Sequence, residues 1–206
     1  MDIADNALMT LADLKSLSGI ANTDTSNDVK LQFLINSASQ EIENILGRKI
    51  KKSQYTEKAK GNNRLTIKTK NYPLLEVAEI KTNGSLVNEL DYSFEESGII
   101  EGIRPWGASG LQQGISNFMV QRSSNIEISY TAGYILPKDA TTLEPRTLPY
   151  DLELSAYRMI NGLVALTEQG TEGLKSFSIS DVSWTWDKEY MQSVLPTILR
   201  YREVRI

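Results

Sequence analysis

Two stretches of helical apolar spacing, one toward each end of the chain, constrain what this sequence can fold into more than any other feature. Leu31, Leu34, Ile35, Ala38, Ile42, Ile45 and Leu46 share one face of a helix beginning near Val29, because side chains three and four residues apart stack on an α-helix. Leu152, Ala156, Met159, Ile160, Leu163, Val164 and Leu166 repeat the pattern behind Pro149. Each stripe has to be covered from water, most economically by the other. The chain between them must leave this pair and return to it.

What lies between reads as β from about Ser53 to Tyr134. Leu65 to Thr69 alternates, and Leu75 to Thr82 runs into Asn83-Gly84, a pair suited to the positive φ angles of a tight hairpin. Leu86 and Val87 begin the return strand. Tyr92 and Phe94 alternate, Ile99-Ile100 is a short apolar run, and residues 126–130 (IEISY) alternate cleanly. Short strands separated by turn residues predict a small antiparallel sandwich or barrel. Residues 104–117 (RPWGASGLQQGISN) carry no period and read as an exposed loop.

The helix ends are legible too. Thr10 and Asp13 have capping-box spacing ahead of Leu11, Leu14 and Leu17, and Gly19 stops that first helix. Residues 22–28 offer several N-caps for the second. Gly47 is placed to close it, with Arg48 and Lys49 just beyond, where the helix dipole favours cations. Pro149 opens the third, Asp151 and Glu153 occupy its first turn, and Gly170 ends it. Residues 177–179 and 182–186 then alternate in opposite phase, implying a turn or bulge at Ser180-Asp181. Residues 191–202 read as a last helix that Pro196 either kinks or restarts.

The resulting fold class is α+β. Helices near 10–18, 28–46, 149–168 and 190–202 make a scaffold of residues 1–50 and 145–206. Residues 51–144 form an inserted small antiparallel β domain.

Composition narrows the chemistry. The 206 residues include no histidine and no cysteine. Thiolate nucleophiles, disulfides and cysteine-based metal sites are excluded, and so is the commonest general base. A net charge of −4, from 22 Lys and Arg against 26 Asp and Glu, argues against a large nucleic-acid-binding face. The N-terminus (MDIADNALMT) has no basic region of a secretory signal, and no apolar run is long enough to span a membrane. No phosphate-binding, metal or cofactor motif appears, and no catalytic residue is assigned.

Glu41/Glu43, Glu76/Glu79 and Glu95/Glu96 read as solvated faces rather than acid–base pairs. Ser37/Ser39 and Ser176/Ser178/Ser180 have no histidine to activate them. Trp184 and Trp186 share a strand face, as a stacking platform or as ordinary core or subunit contact. Trp106 and Leu111 sit in the Gly-rich loop, where the tryptophan is either an interface anchor or local packing. The closing residues 200–206 hold three arginines, as a frayed helix end or as an arm for an acidic groove of a partner.

TLADLKSLSGI followed by LINSASQEIENILGR resembles the opening of head–tail connector proteins of tailed phages, the gp6-like adaptors. YPLLEVAEIKTNG, DYSF, IEISYTAGYILP and LPYDLELSAYRMI look like the longer members that carry a β insertion. GLKSFSISDVSWTW and ILRYREVRI look like the family's C-terminal strand and tail.

The resemblance implies a virion structural protein made in the host cytoplasm. It would form a ring, commonly of twelve copies, below the portal. That ring extends the DNA channel toward a stopper or tail-completion protein, and DNA passes through the lumen without specific binding. It also implies that Ile198, Leu199, Tyr201, Arg202, Val204, Arg205 and Ile206 engage the portal, so that deleting residues 200–206 abolishes that association and spares the fold. Neither a cofactor nor a membrane enters this picture. A carbohydrate- or host-binding β module using Trp184 and Trp186, and a carboxylate-based hydrolase, are the alternatives from other classes.

Overall fold

Thr10 starts the first helix as its spacing implies. Its hydroxyl accepts the Asp13 N–H at 3.1 Å and donates to the Asp13 carboxylate at 2.6 Å, satisfying a helix N–H that has no partner in its own turn. The computed structural model describes residues 2–107, 125–169 and 188–202, with the backbone alone over 165–169 and 188–192. Its helices are α1 (Leu11–Leu17), α2 (Asp28–Leu46), α3 (Tyr150–Gln169) and α4 (Lys188–Leu199). Its strands are β1 (Ser53–Lys60), β2 (Thr66–Lys68), β3 (Leu74–Thr82), β4 (Ser85–Leu86), β5 (Tyr92–Phe94), β6 (Ile99–Gly102) and β7 (Asn125–Ala132). Every paired strand is antiparallel to its neighbour, so the chain is α+β. It divides into two compact units, Met1–Arg48 with Ile135–Ile206, and Lys49–Tyr134.

In the helical unit α2, α3 and α4 pack on one another, and α1 packs on α2. The two stripes meet as expected. Leu34, Ile35, Ala38 and Ile42 of α2 are buried with Leu152, Ala156, Met159, Ile160 and Leu163 of α3, while Val194 and Ile198 contribute from α4. Ile45 is only half-buried, and Glu43 takes a buried position instead, accepting a hydrogen bond from the Asn6 amide at 2.9 Å.

Two features of this unit have no sequence signal. Ala7, Leu8 and Met9 are fully buried, and Leu8 donates its N–H to Ser39 Oγ at 3.0 Å. Lys15 is buried beneath the segment 22–28, donating to the Asp24 carbonyl at 2.8 Å and pairing with the Asp28 carboxylate.

The β unit has two sheets, of order β1-β7-β3-β4 and β2-β6-β5. They share one core of Ile67, Leu74, Val77, Ile80, Ile100, Trp106, Ile126, Ile128, Tyr130 and Ala132, an open two-sheet arrangement rather than a closed barrel. Strand β7 alternates with period 2, as its sequence does. Strand β3 does not. Its buried residues Leu74, Val77 and Ile80 are three apart, because register shifts between Leu74 and Glu76 and between Val77 and Glu79 add residues against β7. Asn83 and Gly84 have φ of 51° and 83°, the hairpin geometry their pairing predicts.

The segments that enter and leave this unit pair with each other. Lys52 donates to the Tyr134 carbonyl at 2.7 Å, and Tyr134 donates to the Ile50 carbonyl at 2.8 Å.

Two expectations are corrected. The β unit ends at Tyr134, not at residue 144. Ile135 donates to Thr147 Oγ1 at 2.9 Å and Leu136 is fully buried, while Lys138 pairs with Asp5 at 3.0 Å, so residues 135–144 are held by the helical unit. Second, residues 104–107 are not wholly exposed, because Trp106 and Gly107 are buried. The rest of that loop, the strand pair at 177–179 and 182–186, and with them Leu111, Trp184 and Trp186, lie outside the described residues. So do Val204, Arg205 and Ile206.

Candidate functional site

The arm begins where α4 tightens. Arg200, Tyr201 and Arg202 donate their N–H groups to the carbonyls three residues back, at 3.3, 3.0 and 3.1 Å, so the helix closes in 3₁₀-like turns behind Pro196. This brings the Tyr201 carbonyl to Arg48, whose buried guanidinium donates to it from Nε at 3.4 Å and Nη2 at 3.3 Å. The Tyr201 hydroxyl donates to the Asp151 carboxylate at 2.6 Å. A residue just past the end of α2 and one in the first turn of α3 therefore hold the start of the arm.

The residues assigned to the arm separate into three environments. Ile198 is fully buried in the helical core, so it packs within its own chain. Tyr201 is half-buried and anchored, whereas Leu199 and Arg202 are exposed, as is Arg200 beside them. Arg48 and Asp151 complete the anchorage, although sequence reasoning placed both only by the helix dipole. Their one hint was an aromatic residue bearing a hydroxyl close behind the last helix. Deleting residues 200–206 would remove these contacts of Tyr201 along with the arm. A cut after Arg202 spares the anchor.

Trp106 is held inward. Its N–H donates to the Arg64 carbonyl at 2.8 Å, and its indole packs so closely on Gly102 that a Cβ there would lie 3.0 Å from the ring. It is 5% exposed, the local-packing alternative, and its indole N–H finds no partner among the described residues.

The other candidates are dispersed into local contacts. Glu79 pairs with Lys81 at 2.6 Å, which raises the lysine's pKa, and Glu95 accepts from Ser97 at 3.0 Å. Ser39 donates to the Ile35 carbonyl at 2.7 Å. Among the described residues no group of acidic side chains is arranged to hold a metal ion, and no helix is long and apolar enough to cross a membrane.

These features define an α+β chain in which the segment after α4 is anchored within the helical unit. The chain belongs to the head completion protein family, whose model matches residues 7–161. That span ends inside α3, so α4 and the arm lie beyond it. Among curated proteins no relative matches. Solved structures share the fold, two of them from gene transfer agent particles. One is a chain from the neck of an empty gene transfer agent particle computed with C6 symmetry, with TM-score 0.56 and 13% identity, covering 100% of this chain and 95% of that one. The other is a chain from the virion of a native gene transfer agent particle, with TM-score 0.54, 13% identity and the same coverage.

Proposed function

We propose that this chain is a virion structural protein of the phage head–tail junction, without catalytic activity. It assembles as a ring below the portal, extends the DNA channel and joins it to a stopper or tail protein. The observation that carries this reading is the family match over residues 7–161, together with the whole-chain likeness to proteins of a neck and a virion. In this reading Lys49–Tyr134 is an insertion into the helical scaffold. Its entering and leaving segments pair side by side, as an insertion requires.

The portal contact is assigned to Leu199, Arg202, Val204, Arg205 and Ile206. Ile198 and Tyr201 hold the base of the arm in place. Negative-stain imaging of the protein mixed with its portal tests the reading. A symmetric collar on the portal is expected, and no association at any mixing ratio overturns it.

A further inference from the structure

Charge in the β unit is sorted by position. Residues 49–70 carry eight Lys and Arg against one carboxylate, Glu57, whereas residues 71–107 carry seven Asp and Glu against two cations, Lys81 and Arg104. The topology turns this order into two flanks. Strands β1 and β2 are edges of their respective sheets and lie together, since Glu57 of β1 accepts the N–H of Lys70, just past β2, at 3.1 Å. Glu57 also accepts from the Tyr130 hydroxyl, so it is turned toward the unit's own interior. Lys58, Lys60, Arg64, Lys68 and Lys70 are exposed around it, and Lys60 and Arg64 have no ion pair among the described residues.

The opposite edges, β4 and β5, line an open groove of about 490 Å³ with β3. Leu86 and Leu90 stand on it 67% and 87% exposed, beside Glu79 and Glu89, with Asp91 exposed just beyond. Exposed leucines beside Glu89 and Asp91, with Glu79 already paired to Lys81, suit long side chains that are apolar along the stem and cationic at the tip. Those are the side chains of the first flank.

We infer that the β unit docks head to tail on a second copy of this chain, with the lysine-bearing β1–β2 flank of one copy seated on the Leu86–Leu90 groove of the next. Duplex DNA on the basic flank would leave the acidic groove and its leucines uncovered, whereas a second copy covers both at once. Unlike faces on opposite edges of one molecule make a heterologous contact, which propagates and closes into a ring where the rotation allows. The contact deepens the ring reading by naming one of its interfaces.

The test uses two variants of the full chain: Lys60→Glu/Arg64→Glu, which lowers the net charge of residues 49–70 from +7 to +3, and Glu89→Lys/Asp91→Lys, which moves that of residues 71–107 from −5 to −1. Sedimentation velocity of each alone is expected to show self-association about ten-fold weaker than wild type. An equimolar mixture is expected to recover it as mixed species, and added salt is expected to weaken it. Wild-type association in the variants, or no recovery on mixing, overturns the inference. So does a Lys60→Glu/Arg64→Glu defect confined to duplex DNA binding. The ring itself is read separately by imaging with portal. A ring that forms with unaltered variants removes the flank contact alone, and salt-sensitive pairing without a collar removes the ring alone.

Discussion

Tyr130 ties Glu57 of β1 and the buried Asn71 to the centre of the β unit's core. Its hydroxyl donates to Glu57 and accepts from the Asn71 N–H at 3.2 Å and side-chain amide at 3.3 Å, while its ring lies 5.7 Å from that of Tyr55. Burial, reinforced by the bond to Glu57, holds the phenol's pKa well above its usual range. The sign of the linkage follows from that direction. The neutral phenol is favoured in the folded state, so its contribution is full below the unfolded pKa of about 10 and is lost as pH rises through the raised folded value. Tyr130→Phe is expected to cost about 1–2 kcal/mol near neutral pH. It should also remove part of the alkaline loss of stability, read by denaturant unfolding across pH. Gly133 is a second sensitive position. Its φ is +104° and a Cβ would sit 2.5 Å from the Lys51 carbonyl oxygen, against backbone that cannot swing aside. Gly133→Ala is therefore expected to cost about 2 kcal/mol or more, measured as a lowered unfolding midpoint.

Among the elements, α2 shows how closely a periodic stripe reports burial. Ile42 is fully buried and Ile45 half-buried on the same helix. Ile42→Ala is expected to cost about 2–5 kcal/mol, because it leaves a cavity, and Ile45→Ala about 1 kcal/mol or less. Urea midpoints with unchanged slopes check both. Strand β3 shows where a stripe misleads. Leu74, Val77 and Ile80 have the three-residue spacing of a helix, and they face one core only because bulges reset the phase against β7.

At the scale of the molecule, the arm's function is separable from its anchorage. Removing residues 203–206 is expected to abolish copurification with portal and to leave Tm unchanged. Removing 201–206 is expected to lower Tm as well, because Arg48 and Asp151 lose Tyr201. Differential scanning calorimetry beside a portal pull-down separates the two effects. A 203–206 truncation that still binds portal removes the arm from the interface.

The elements were legible in the sequence. Four helices, the hairpin at Asn83-Gly84, the alternation of β7 and the meeting of two distant stripes rest on local chemistry and periodicity, which act over a few residues. Tertiary structure decided what depends on partners far along the chain. It buried Ala7, Leu8, Met9, Lys15 and Glu43, reset β3, and assigned residues 135–144 to the helices. It also placed Arg48 and Asp151, which are 103 positions apart in the chain, around one tyrosine. Neither the spacing nor the identity of those residues encodes such a meeting. It exists only because packing α2, α3 and α4 together brings their ends to one place.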